Sequence, residues 1–428
     1  MSSLTESDLH GRWRDRWQSF LHLLEDAETP EEATNALRDK VIIGNAERKI
    51  AGGHEGREIL ELLQNARDAI WNGDADRGRV HVGVYDDGVL VANTGSRFDL
   101  FDPQVEDAVT MIGETGKGDD DDQSIGHKGV GLKSILATGD AFEIFTRPDD
   151  ASDELLGVRL SRAYLVASLL NRLGHDTDLP GLTGELEDPA LGAVLSDGAR
   201  SDEIPLTDEL SESIAKLPLF NFPVPLVTNH ESSDAVRARV RDLLTEPPAN
   251  GDRERFRTAV FIRYEDSDWR SQLAEFGIPV PDEDERAIAD RPERIWEYLS
   301  AGASDGGLQP ETVVQLGGIT ELHLERAANA GDDSVIEERW ELTRETKSTT
   351  AVDDLSHDEV HVRVHLPDAT EVVHSFDQFS FTEPREHHTA ILVNKATEGE
   401  PTPIESYPLY LFYPIEGTDA ANLPFCFH

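Results

Sequence analysis

Glu61, Asn65 and Asp68 stand at i, i+4 and i+7 within Ile59–Ile70. A helix at 3.6 residues per turn therefore sets a carboxylate, an amide and a second carboxylate in one row. By spacing alone the row fits a solvated face as well as a site. Further along, Gly126, Gly129 and Gly131 form a GxxGxG run, with Val130 between the last two, that leads into a helical pattern ending near Leu136. Glycines let backbone N–H groups close on phosphate oxygens, and a helix amino terminus adds a favourable dipole. Lys117, Lys128 and Lys133 gather around this run in a chain that otherwise uses arginine in preference to lysine. They point to a phosphate ligand, with stray solvated charges as the other reading. Between row and loop, Asn93-Thr94-Gly95 closes a strand.

These groups need a scaffold, and the patterning supplies one. Ile59, Leu62, Leu63, Ala66 and Ile70 put an apolar stripe on the face of the helix opposite the polar row. Val80–Tyr85 and Val89–Asn93 alternate as two strands around an Asp87-Gly88 turn. Strands are also expected at 141–147, 157–160, 257–264, 322–326, 340–343, 360–366, 390–393 and 409–413. Helices are expected at 101–112, 161–173, 234–245, 296–299 and 311–316. Before the opening helix, Leu9, Trp13, Trp17, Phe20, Leu21 and Leu24 give 4–27 one apolar side, which suits either a dimerising arm or a helix packed on its own chain. Pro30 starts a second helix toward Val41, and the acidic stretch 174–216 carries no readable pattern.

Composition bounds the partners. Among 428 residues, 85 are acidic and 39 basic, for a net charge of −46, and the acids are spread along the whole length. Such a chain repels itself unless salt screens it, which predicts a haloarchaeal, high-salt cytoplasm. General nucleic-acid binding is excluded because no broad basic surface can form. Cys426 is the single cysteine, so neither an internal disulfide nor a multi-cysteine zinc site is available. No apolar run reaches membrane-spanning length and the amino terminus has no signal-peptide core, so a cytoplasmic location and no membrane association are expected.

Together the motifs resemble the GHKL ATPase superfamily of gyrase B, ninety-kilodalton heat-shock chaperones, histidine kinases and mismatch-repair ATPases. Within it, the similarity is to the sacsin and NO VEIN type of ATP-binding domain. Glu61-Leu62-Leu63-Gln64-Asn65-Ala66-Arg67-Asp68 resembles that family's N-box, and Ile112-Gly113 with Thr115 and Lys117 the segment before its lid. Ile125-Gly126-His127-Lys128-Gly129-Val130-Gly131-Leu132-Lys133-Ser134 resembles its second glycine box, and Thr258 the threonine of its last box. The three stronger motifs span about 75 residues.

The resemblance implies an α+β fold of Bergerat type: a mixed, mostly antiparallel sheet covered by helices. It implies a helical arm over 1–50, a nucleotide-binding domain over 51–265 and a second α/β domain over 266–428, the last incomplete at its carboxyl end. It also implies roles. Glu61 would be the general base, Asn65 the Mg²⁺ ligand, and Asp68 part of the site floor. Asn93 would meet the adenine, and Gly95 and Thr258 would also be nucleotide-binding positions. Lys117, Gly126, Lys128, Gly129, Val130 and Gly131 would hold the phosphates of ATP beneath a lid at 113–125. One departure stands out, since most relatives carry aspartate where this chain has Asn93; an amide oxygen can still accept the bond from the adenine amino group. The run Asp119–Asp122 reads as a solvated lid loop, His127 as a backbone spacer, and His387-His388 as structural because neighbouring strand side chains point apart. Lys347, Lys395 and Arg344 are the basic residues on offer to a γ-phosphate from the second half, none within a motif.

The expectation is a slow, Mg²⁺-dependent ATPase switch in which lid closure moves the second half and drives homodimer formation or partner binding. The alternative is a nucleotide-binding scaffold or sensor, without turnover, in a larger chaperone-like or defence system. A histidine kinase is disfavoured because no phospho-acceptor helix precedes the N-box, and a topoisomerase by the charge.

Overall fold

The computed structural model of the chain describes residues 6–52, 58–73, 78–100, 102, 105, 139, 141–147, 155–175, 177, 189–196, 202–226, 235–245, 255–264, 273–279, 291–300, 308–330, 335–350, 355–381, 390–394 and 426–427. The expected glycine-rich loop and helix over 113–136, and the strand at 409–413, lie outside these residues.

Helix α1 (Glu6–His22) buries the apolar side read from its sequence, and buries it against its own chain. Leu9 and Trp13 enter the main core, whereas Trp17, Phe20 and Leu21, with Leu24 beyond the helix, pack with Tyr164, Leu169 and Phe222. Trp17 Nε1 donates to the Pro223 carbonyl at 3.0 Å, so the indole is buried without losing its hydrogen bond. Helix α2 (Pro30–Gly52) starts on a capping box. In it, Thr29 Oγ1 accepts from the Glu32 amide at 3.3 Å and Glu32 Oε2 accepts from the Thr29 amide at 3.1 Å. The helix runs about three turns beyond Val41, and in that extension Glu47 accepts the Leu219 amide at 2.7 Å.

Helix α3 (Glu58–Asn72) lies on the hairpin of β1 (Gly78–Tyr85) and β2 (Gly88–Asn93). Then come β3 (Ala141–Thr146), β4 (Leu156–Ser161), α4 (Arg162–Arg172), α5 (Pro189–Ser196), α6 (Asp208–Ala215), β5 (Val224–Leu226), α7 (Ala235–Thr245) and β6 (Thr258–Arg263). The carboxyl-terminal half supplies α8 (Arg291–Leu299), α9 (Pro310–Leu316), β7 (Ile319–Arg326), β8 (Ile336–Thr350), β9 (Leu355–His365), β10 (Glu371–Phe381), β11 (Ala390–Asn394) and β12 (Cys426–Phe427).

The fold is mixed α+β. Among the described residues the strands form one open sheet of 12, in the order β12-β11-β10-β9-β8-β7-β1-β2-β6-β3-β4-β5. Neighbours are antiparallel throughout except for β1 and β7, which run parallel with Val80 opposite Leu322 and Val82 opposite Leu324. The two halves of the chain thus share a sheet.

Strand alternation gives the sheet two unlike faces. On one, Val80, Val82, Val84, Val89 and Val91 pack beneath Ile59, Leu63, Ala66 and Ile70 of α3, joined by Val313 and Leu316 of α9 and by Trp340 of β8. On the other, Tyr85, Leu90, Ala92 and Phe261 pack against Val236, Val240 and Leu244 of α7. No described helix is long and apolar enough to cross a membrane.

Candidate functional site

The polar row of α3 is not a solvated face. Glu61 and Asp68 are each only 4% exposed, Gln64 is buried as well, and Asn65 is half-buried. Its carboxylates are therefore buried on the side away from the apolar stripe. Burying a carboxylate is costly unless it is paired or used. Asp68 is paired: Oδ1 takes Arg67 Nη1 at 2.8 Å. The same guanidinium donates through Nε to the Leu316 carbonyl at 2.8 Å and lies 4.7 Å from the Trp71 ring centre.

Asn93, Gly95 and Thr258 are brought to this helix by the sheet. Asn93 ends β2 directly opposite Thr258 of β6, and Thr258 is in turn opposite Thr146 of β3. Directly opposed residues on adjacent strands point to the same face. Their strand-mates Val91, Ile262 and Ile144 all lie in the α3 core, so the row Asn93–Thr258–Thr146 is on the α3 face. Gly95 then turns the chain against the carboxyl end of α3 with a φ of +96°. A Cβ there would overlap the Ile70 Cα and the Ala69 carbonyl oxygen, and the Ser96 amide donates to that same carbonyl at 2.6 Å. Glycine at 95 is therefore demanded twice, by the backbone and by the space.

The side chain of Asn93 has a defined sense. Its Nδ2 donates to the Thr94 carbonyl at 2.7 Å, which only the NH₂ end can meet, so Oδ1 is the free end of the amide and an acceptor. Thr94 holds the turn on both sides, its Oγ1 accepting the Arg79 amide at 2.9 Å and its own amide donating to the Arg79 carbonyl at 3.1 Å. Thr258 Oγ1 accepts the Phe98 amide at 3.0 Å and keeps its own proton to donate.

Lys117, Gly126, Lys128, Gly129, Val130 and Gly131 lie outside the described residues, as do Asp119–Asp122, His127, His387, His388 and Lys395. Lys347 is described, and it is committed to Glu345 at 2.9 Å and Glu359 at 2.7 Å on the face of the β8–β9 ribbon. Among the described residues no group of three or more His, Cys, Asp and Glu is disposed to hold a metal ion.

Two residues that spacing did not single out belong to this site. Arg67 was invisible as a bridge because its second partner, Leu316, is 249 positions away. Thr146 ends a strand that is readable, but its place in the polar row follows only from the pairing of β3 with β6. Against protein-family models the chain matches none, and no curated protein matches it in sequence.

Proposed function

We propose that the chain is a Mg²⁺-dependent, ATP-hydrolysing switch of the sacsin-like GHKL type, its sheet and α3-side helices forming a Bergerat-type sandwich. The observation that carries this reading is the burial of Glu61 and Asp68 on a helix laid across strands ending in the Asn93–Thr258 pair. A solvated acidic helix has no reason to bury its carboxylates on the side away from its apolar stripe, whereas a nucleotide site needs them there. Asn93 Oδ1 accepts from the adenine amino group. Asn65 would hold Mg²⁺, which would neutralise charge on the phosphate oxygens. Glu61 orients a water and takes its proton as the water oxygen bonds to the γ-phosphorus and the bond to the β-phosphate oxygen breaks, giving ADP and inorganic phosphate. Lys117 and Lys128, with the backbone at Gly126, Gly129, Val130 and Gly131, cradle the phosphates. The Arg67 bridge to Leu316 and the parallel pairing of β1 with β7 carry closure into the carboxyl-terminal half, where a second copy or a partner protein docks in a high-salt cytoplasm.

The test is ATP binding in molar KCl with and without Mg²⁺, with GTP as competitor, beside phosphate release by wild type and Glu61→Ala. Binding that needs Mg²⁺ and prefers ATP is expected, with release falling about 100-fold or more in the variant. Preference for GTP overturns the adenine assignment, and binding with no release above Glu61→Ala leaves a nucleotide-sensing scaffold.

A further inference from the structure

The row on the α3 face of the sheet has three polar members, and two are already engaged. Asn93 gives its NH₂ to the Thr94 carbonyl, and the Thr258 oxygen takes the Phe98 amide. The third, Thr146, is 1% exposed, and its Oγ1 has no hydrogen-bond partner among the described residues. A hydroxyl buried unpaired costs stability, and a threonine at the end of β3, opposite Leu156 of β4, could be valine at no loss of shape. That cost would be recovered if the hydroxyl gained a partner when the site is filled.

Adjacent strands lie about 4.8 Å apart, so Asn93 on β2 and Thr146 on β3, with β6 between, span about 10 Å. With the purine amino group held at Asn93, the ring nitrogen beside it is left about one water's length short of Thr146. Asn93 Oδ1 offers only an acceptor, which suits the exocyclic amino group, and the ring nitrogens beside that group need a donor. Thr146 has an uncommitted O–H at the other end of the row.

We infer that Thr146 is a base-reading residue. Its hydroxyl donates toward a ring nitrogen of the bound adenine through one water shared with Thr258. This rests on the proposal that the site takes ATP. It adds a contact which accounts for an otherwise unsatisfied buried group. Because a hydroxyl can donate or accept, Thr146 contributes affinity for the purine, while the choice of adenine stays with Asn93.

The experiment compares wild type, Thr146→Val and Thr146→Ser, each for its melting midpoint without nucleotide and for its Kd for ATP with Mg²⁺ in molar KCl. Valine removes the unpaired hydroxyl at constant shape, so the nucleotide-free variant should melt at or above wild type while binding ATP about five- to tenfold more weakly. Serine keeps the hydroxyl and should bind within about twofold of wild type. A purely structural hydroxyl gives the opposite pattern, a lower melting midpoint with affinity unchanged, and that overturns the inference. So does equal weakening by serine and valine, which would make the methyl group the contact. If wild type binds no adenine nucleotide, the ATP proposal itself fails and this inference falls with it. If wild type binds and Thr146→Val binds equally well, only the role of Thr146 is lost.

Discussion

Arg67 Nε donates to the Leu316 carbonyl at 2.8 Å while Nη1 of the same side chain holds Asp68 Oδ1 at 2.8 Å. Leu316 is the last residue of α9, and Gly317 and Gly318, both with positive φ, turn the chain from it into β7 beside β1. One planar guanidinium thus ties a carboxylate of the candidate site to the segment through which the carboxyl-terminal half enters the sheet. Its fork geometry serves both acceptors at once, which a lysine ammonium on a flexible stem does not.

Arg67→Met keeps the aliphatic stem but removes the charge and both hydrogen bonds. It should destabilise the fold by about 3 kcal/mol, because it strips an ionic partner from a buried carboxylate and a donor from a buried carbonyl. Arg67→Lys should recover only part of this. Denaturant unfolding of the three proteins measures it, and a loss under about 1 kcal/mol for methionine would show that the bridge is incidental.

Gly95 and Gly277 make a matched pair. Both hold positive φ, +96° and +67°, but a Cβ at 95 overlaps α3, whereas one at 277 meets nothing within 4 Å among the described residues. Gly277→Ala should cost only the backbone strain, about 1–2 kcal/mol. Gly95→Ala adds displacement of the carboxyl end of α3 and should cost about 3 kcal/mol or more. Equal unfolding free energies for the two variants would mean that the turn after β2 can lift off the helix without penalty.

Local periodicity made much of the scaffold legible. The stripe of α3 and the apolar side of α1 needed only helical spacing, and their residues are buried as that spacing requires. Thr207 caps α6, its Oγ1 accepting the Leu210 amide at 3.3 Å, so a helix start lay unread in the acidic stretch 174–216. The β1–β2 hairpin was readable too, though for a partly mistaken reason. Its loop is Asp86-Asp87, and Gly88 is a strand residue paired with Tyr85, small because a side chain there would overlap the Ile262 carbonyl. Long-range facts were closed to spacing arguments: the parallel seam of β1 with β7, the reach of Arg67 to Leu316, and the burial of Glu61. A carboxylate row looks the same in sequence whether water or protein lies above it.

The charge of −46 sets the solvent conditions under which the fold holds. Screening length falls from about 10 Å at 0.1 M salt to about 3 Å at 1 M, which takes repulsion between neighbouring surface carboxylates from strong to slight. The melting midpoint should therefore climb steeply with KCl over that interval and flatten above it. A midpoint that is constant from 0.1 M upward would remove the case for adaptation to high salt.

At the β1–β7 seam, on the face away from α3, His81 and His323 are register partners with their Nδ1 atoms 2.9 Å apart. One imidazole must donate to the other, so at most one of these two nitrogens carries a proton. Around them stand Glu325, which accepts the Tyr85 hydroxyl at 3.0 Å and pairs with Arg239 of α7 at 2.5 Å, Glu337 and Glu321 on the sheet, and the ring of Phe256. Burial, then His323, then Arg239 hold His81 well below the ordinary imidazole range, and burial lowers His323 as well, partly offset by Glu337 and Glu325. In the unfolded chain both titrate near pH 6.5, so below that pH the unfolded state binds more protons than the folded one. Stability from this pair is therefore complete above about pH 6.5 and drains away as the pH falls, by about 1.4 kcal/mol per pH unit for each proton withheld. His81→Gln should flatten the slope of unfolding free energy between about pH 6.5 and pH 5 by close to one proton, since glutamine has nothing to titrate there. Unfolding in denaturant across that range, in constant molar KCl, measures the difference. Parallel slopes for wild type and variant would place the seam histidines outside the acid response of the fold.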